Sequence, residues 1–119
     1  LLLKIKKGYD VTTLSKPLVE NYAKLTGRSD VKALLDGDAY AKFSFDRQLV
    51  DLFETYPEKL TPEQLLSLLR PLPGRLYSVA SSLKAHPGEA HLTVGAVRWD
   101  SHGKKRKGVA STYLADRCK

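Results

Sequence analysis

The feature that most constrains this chain is the tetrad Pro71-Leu72-Pro73-Gly74, because the apolar pattern changes period across it. Two prolines fix φ and remove backbone donors, so neither a helix nor a central strand runs through such a stretch. Before the tetrad, apolar residues recur at the three- and four-residue spacing of helices; after it they alternate as in strands. The expectation is an α+β chain, helical over residues 1–74 and strand-bearing over 75–119. Its 119 residues suffice for one compact domain or for a piece of a larger one. The lack of methionine, the opening on Leu1-Leu2-Leu3 and the stop after Arg117-Cys118-Lys119 are read as signs of a piece.

Within the helical part, Leu1 to Lys7 alternates like an edge strand and Gly8 breaks it. Asp10-Val11-Thr12-Thr13-Leu14-Ser15-Lys16-Pro17 then supplies several possible N-cap oxygens and a proline suited to a first helical turn, ahead of a helix whose face carries Leu18, Tyr22 and Leu25 and which Gly27 stops. A short helix is expected from Ser29-Asp30 with Val31, Leu34 and Leu35 inward. A third runs from Asp46 to Tyr56 on Leu49, Leu52, Phe53 and Tyr56; its Asp46, Asp51 and Glu54 are read as a wet face. Thr61, Pro62 and Gln64 make the strongest start signal, a capping box ahead of Leu65, Leu66, Leu68 and Leu69.

Past Gly74, Arg75 to Ser82 and Ala90 to Trp99 are predicted strands, separated by the turn at His86-Pro87-Gly88. Asp100 to Gly103 is a second expected turn. The basic run Lys104-Lys105-Arg106-Lys107 reads as a solvated loop, and Gly108 to Ser111 leads into a helix through Thr112 to Ala115.

The net charge is +7, yet residues 30–66 hold eight acids against four bases, so the positive excess lies at the two ends. The longest apolar run falls far short of the roughly 20 residues that cross a bilayer, so no membrane span is expected. One cysteine, Cys118, excludes an internal disulfide and suits a reducing compartment. His86, His91 and His102 lack metal-ligand spacing with Cys118, and no ligand role is given to them.

Two stretches could carry chemistry. Arg75, Tyr77 and Ser78 offer a charge for phosphate, a ring for stacking and a hydroxyl for a heterocycle edge, a set that suits a flavin nucleotide. Gly108-Val109-Ala110-Ser111-Thr112 at a helix start offers free N–H groups to an anion. At these residues a resemblance emerges. Arg75-Leu76-Tyr77-Ser78-Val79-Ala80-Ser81-Ser82, then Thr93-Val94-Gly95 with Val97-Arg98-Trp99-Asp100, then Gly108-Val109-Ala110-Ser111 with Leu114-Ala115-Asp116, resemble the FAD-binding domain of diflavin reductases. Upstream, Asp10-Val11-Thr12, Val19-Glu20-Asn21-Tyr22-Ala23 and Leu68-Leu69-Arg70-Pro71-Leu72 agree as well, and the sulfite reductase flavoprotein branch is the most similar.

The resemblance implies a helical connecting region over 1–74 and part of an antiparallel ferredoxin-reductase-like FAD-binding β-barrel over 75–119. It implies that Arg75 pairs with the FAD pyrophosphate, that Tyr77, beside Leu76, stacks on the isoalloxazine, and that Ser78 bonds near its reactive edge. By the same resemblance Thr93, Val94 and Gly95 form a second FAD-contacting stretch, and Trp99 stacks on adenine where the family has tyrosine. Gly108, Val109, Ala110 and Ser111 would form the pyrophosphate loop, and Thr12 would add one contact. FMN and NADPH would bind other domains of the same full-length chain, the electrons passing to a haemoprotein subunit of a cytoplasmic sulfite reductase in cysteine biosynthesis, with the isolated piece inactive. Two rival readings remain: the cytochrome P450 reductase branch, against which Leu76 argues, and a small basic module that holds single-stranded nucleic acid through Lys104 to Lys107, which is the weaker partner assignment.

Overall fold

The computed structural model describes Ile5 and residues 8–118. The edge strand expected over residues 1–7 lies outside these apart from Ile5, which is helical. The chain divides into two compact units, Leu1–Pro73 and Gly74–Lys119. The first contains α1 (Lys16–Thr26), α2 (Ser29–Ala33), α3 (Ala39–Ser44), α4 (Leu49–Thr55) and α5 (Pro62–Leu68). The second contains β1 (Arg98–Ser101), β2 (Lys104–Lys107) and α6 (Val109–Asp116).

Local signals account for most helix ends in the first unit. Pro17 sits in the opening turn of α1 and Gly27 closes it in the left-handed region at φ 67°, donating its N–H to Ala23, where only glycine avoids a Cβ penalty. In α5 the capping box forms as expected: Gln64 N–H donates to Thr61 Oγ1 at 3.3 Å, and Thr61 N–H to Gln64 Oε1 at 2.8 Å. The helix expected from Asp46 begins only at Leu49, since Asp46 itself adopts φ 54°. Asp51 does not face water. It is buried, and its Oδ2 accepts the Gln48 N–H at 2.7 Å, satisfying a donor that the start of α4 would otherwise leave open. Helix α2 begins at Ser29 after Arg28, one position earlier than a Ser29 cap and two earlier than an Asp30 cap would allow. Helix α3 has no counterpart among the sequence expectations.

Among the described residues, the buried apolar ones all belong to this unit. Leu14, Leu18, Val19, Tyr22, Ala23, Val31, Leu49, Leu52, Leu68 and Leu69 form one cluster. On α1 the inward stripe is rotated from the expected one, with Val19 and Ala23 buried and Leu25 left exposed. Helix α1 packs on α2 and α5. Tyr22 is fully buried, its ring 5.3 Å from that of Phe53, and its hydroxyl donates to the Tyr56 carbonyl at 2.6 Å. A buried phenol needs such a partner, since an unmatched hydroxyl in a core costs about 1–3 kcal/mol. Burial first, and then the Glu58 charge, raise the Tyr22 pKa.

The second unit carries one antiparallel ladder. β1 and β2 pair Arg98 with Lys107, Trp99 with Arg106, Asp100 with Lys105 and Ser101 with Lys104. The basic run is thus a strand, not a loop. The turn is only His102-Gly103, both at positive φ (46° and 73°), as a two-residue hairpin of right-handed twist requires. Asp100 opposite Lys105 offsets part of the strand's charge.

Candidate functional site

Of the strands expected over 75–82 and 90–99, only Arg98 and Trp99 at the end of the second join a ladder, that of β1 with β2; among the described residues the two segments meet each other at a single antiparallel bridge, Val79 with Leu92. The Ala80 N–H donates to the His91 carbonyl at 2.8 Å beside it. Strand pairing is cooperative, and two isolated strands without a buried face are marginal; Val79 and Leu92 both stay exposed here. Arg75, Leu76, Tyr77 and Ser78 accordingly lie on the surface of their unit. Thr93 and Gly95 are exposed and Val94 is half-buried. The Arg75 guanidinium makes no ion pair among the described residues.

The second and third motif segments are tied together closely. Gly108 N–H donates to the Val97 carbonyl at 2.9 Å, and Val97 N–H donates back to Ser111 Oγ at 3.2 Å. Ser111 Oγ also lies 3.4 Å from the Gly108 carbonyl, which accepts from the Thr112 amide at 3.0 Å and the Thr112 hydroxyl at 2.8 Å. A Cβ at Gly108 would fall 2.7 Å from Ser111 Oγ and 3.2 Å from Val97 Cβ. Glycine is therefore required at this position by close approach, its φ of −67° being open to any residue. Arg98 and Asp116 close the same junction with a 2.6 Å ion pair.

Helix α6 starts at Val109, earlier than the Thr112 start expected from the sequence, so Val109, Ala110 and Ser111 form its first turn. No side chain caps it. The amides of a first turn have no intrahelical partner and carry the positive end of the helix dipole. Trp99 is half-buried and shares a face of the hairpin with Arg106, directly opposite in register.

Thr12 belongs to the other unit and to a different network. Asp10, 6% exposed, takes the Thr12 amide and hydroxyl at 2.9 and 2.8 Å on Oδ1, and the Thr13 hydroxyl at 2.7 Å on Oδ2. Arg70 adds Nε at 3.0 Å and Nη2 at 2.7 Å. Burial of the carboxylate would push its pKa up; the bonds from Thr13, Thr12 and Arg70 together outweigh it and hold Asp10 well below the usual carboxylate range. The Thr12 carbonyl accepts the Leu49 amide at 3.1 Å. With its hydrogen committed to Asp10, the Thr12 hydroxyl can only accept from any further partner.

Residues 18–113 match the FAD binding domain family. The chain belongs to that family. FAD binding domain relatives include the sulfite reductase (NADPH) flavoprotein alpha-component of Bacillus subtilis, 45% identical over 113 residues, covering 92% of this chain and 19% of that protein. The corresponding proteins of Pectobacterium atrosepticum and Baumannia cicadellinicola are 46% and 44% identical over 114 residues, each covering 95% of this chain and 19% of the relative. The chain thus spans about a fifth of the length of the relatives it matches. FAD is the cofactor of this family, and the residues present suit it: an unpaired exposed guanidinium, an exposed tyrosine ring and an uncapped helix start are groups that a dianionic pyrophosphate and a flat heterocycle can use. The family membership was legible in the three ordered motifs. The Val97–Ser111 tie was not, because nothing in the residue types marks a serine as the acceptor of an amide fourteen positions away.

Proposed function

We propose that this FAD binding domain chain is the FAD-contacting segment of an NADPH-dependent sulfite reductase flavoprotein. The observation that carries this reading is the 45% identity, across 92% of the chain, to a protein of that name. In this reading the segment 75–119 contributes to an antiparallel FAD-binding barrel, and residues 1–74 form the helical connecting region. FMN and NADPH bind domains of the same full-length chain outside this stretch. FAD, when bound, supplies the two-electron to one-electron conversion between NADPH and FMN, the electrons leaving to a haemoprotein subunit.

The chain's own residues then have distinct tasks. Arg75 would pair with the pyrophosphate, and Val109, Ala110 and Ser111 would offer it the first-turn amides of α6; Gly108 permits the close approach of Val97 to this turn. Tyr77, with Leu76 beside it, stacks on the isoalloxazine, and Ser78 bonds its edge. Thr93, Val94 and Gly95 line the second stretch, and Trp99 stacks on adenine with Arg106 across the hairpin. Thr12 adds an acceptor. No described helix is long and apolar enough to cross a membrane; a cytoplasmic setting suits the free thiol of Cys118. Arg75→Ala in the full-length protein tests the assignment: FAD is released on gel filtration while FMN is retained, and an unchanged FAD-to-FMN ratio refutes it.

A further inference from the structure

The loop between the first two motif segments gathers His86, Glu89 and His91, which no FAD contact above uses. One ligand atom from each of the three lies within 4.8 Å of the other two. His91 Nε2 is 2.8 Å from Glu89 Oε2, and the two imidazole rings stand 4.4 Å apart, centre to centre. The backbone enforces this clustering. His86 N–H donates to the Ser82 carbonyl at 2.9 Å, Glu89 N–H to the His86 carbonyl at 3.3 Å, and Gly88 turns the chain at φ 82°. Ser81 Oγ then bridges the loop's two ends, lying 3.4 Å from the Glu89 carbonyl and accepting the His91 N–H at 3.1 Å.

We propose that His86, Glu89 and His91 form a binding site for a divalent transition-metal ion of the imidazole-preferring class, zinc being the representative. Two imidazoles and one carboxylate are a donor set that zinc, nickel and copper accept, and magnesium or calcium do not favour. Tetrahedral zinc with bonds of about 2.0–2.1 Å holds its ligands roughly 3.3 Å apart. No ligand pair therefore needs to close by more than about 1.5 Å, and Glu89 Oε2 and His91 Nε2, now 2.8 Å apart, need to open by about 0.5 Å, both within reach of side-chain rotation on an exposed loop. All three residues are exposed, so water completes the coordination shell. The site clamps the loop. It fixes His86 to His91 across the turn and so stiffens the connection between the segment carrying Arg75 to Ser78 and the segment carrying Thr93 to Gly95, independently of what those segments bind. The signal His-x-x-Glu-x-His is visible in the sequence, but spacing measured against Cys118 conceals it.

The test uses the full-length flavoprotein, stripped with chelator and dialysed against zinc ions alone at micromolar free concentration. Wild type is expected to retain one zinc more per chain than the His86→Ala/His91→Ala variant, and Glu89→Gln is expected to weaken that zinc about tenfold or more. Zinc is also expected to slow tryptic cleavage after Lys84, inside the loop, in wild type and not in the double variant. Equal zinc content in wild type and double variant overturns the proposal, as does a loss of zinc accompanied by loss of FAD, which would mark a folding defect in place of a missing ligand set.

Discussion

Arg70 closes on Asp10 across sixty positions of sequence, placing Nη2 2.7 Å and Nε 3.0 Å from the same carboxylate oxygen. The pair anchors the segment that leads into α1 to the segment that leaves α5, beside the Tyr9–Pro71 bridge and the Asp10 N–H bond to the Arg70 carbonyl at 3.0 Å. Because Asp10 is buried and Arg70 half-exposed, the carboxylate is the member whose loss leaves more groups unmatched.

Asp10→Asn is expected to lower stability by about 2 kcal/mol and Arg70→Ala by about 1 kcal/mol, the latter discounted for solvent screening. Urea midpoints at constant m-value measure both.

The same carboxylate sets a pH dependence. Its folded-state pKa is depressed, so its contribution is fully present above the unfolded value of about 3.9 and is lost as pH falls below it. Wild type should therefore lose stability more steeply than Asp10→Asn between about pH 4 and pH 2. Parallel curves would remove Asp10 as the source.

In the core, Leu52→Ala is expected to cost about 3 kcal/mol, since Leu52 is fully buried and its truncation loses both apolar burial and packing contacts. Tyr22→Phe removes only the hydroxyl bond to Tyr56 and should cost about 1 kcal/mol. Denaturation of the two variants ranks the contributions.

Gly108→Ala places a methyl group 2.7 Å from Ser111 Oγ and 3.2 Å from Val97 Cβ, which displaces either the serine or Val97, the residue just before β1. FAD content of the full-length variant should fall, and Ser111→Ala, which leaves the Val97 amide without its acceptor, should lower it in the same direction. HPLC of released flavins reads both, with FMN as the internal reference.

At the hairpin, Gly103 lies at φ 73°. Gly103→Ala should destabilise the β1–β2 turn by about 1 kcal/mol, read as faster amide exchange at Lys104 and Arg106, whose pairs with Ser101 and Trp99 alternate in hydrogen bonding with the rest of the ladder, with unchanged exchange in α1.

Features governed by neighbours in the chain were legible without coordinates. The Thr61-Pro62-Gln64 box, the Gly27 stop and the inward set Leu49 and Leu52 follow from capping geometry and helical period, which act within one or two turns. The ordered motifs likewise carried the FAD binding domain family by themselves. What the residues around Asp51 could not reveal is that its carboxylate turns back to cap Gln48, since an acid on a helix face reads as solvated unless its partner is known. Lys104 to Lys107 misled in the same way: four cations suggest a loop, and only pairing with Arg98 to Ser101, with Asp100 opposite Lys105, makes them a strand. Helix periods, the Gly27 and Thr61 caps and the kinship are written in the order of the residues; which polar groups are buried and which segments pair is set by the fold. The physical reason is that burial and strand pairing depend on groups brought together from far along the chain, as Arg70 is to Asp10, whereas caps and periods depend on the backbone's own next turn.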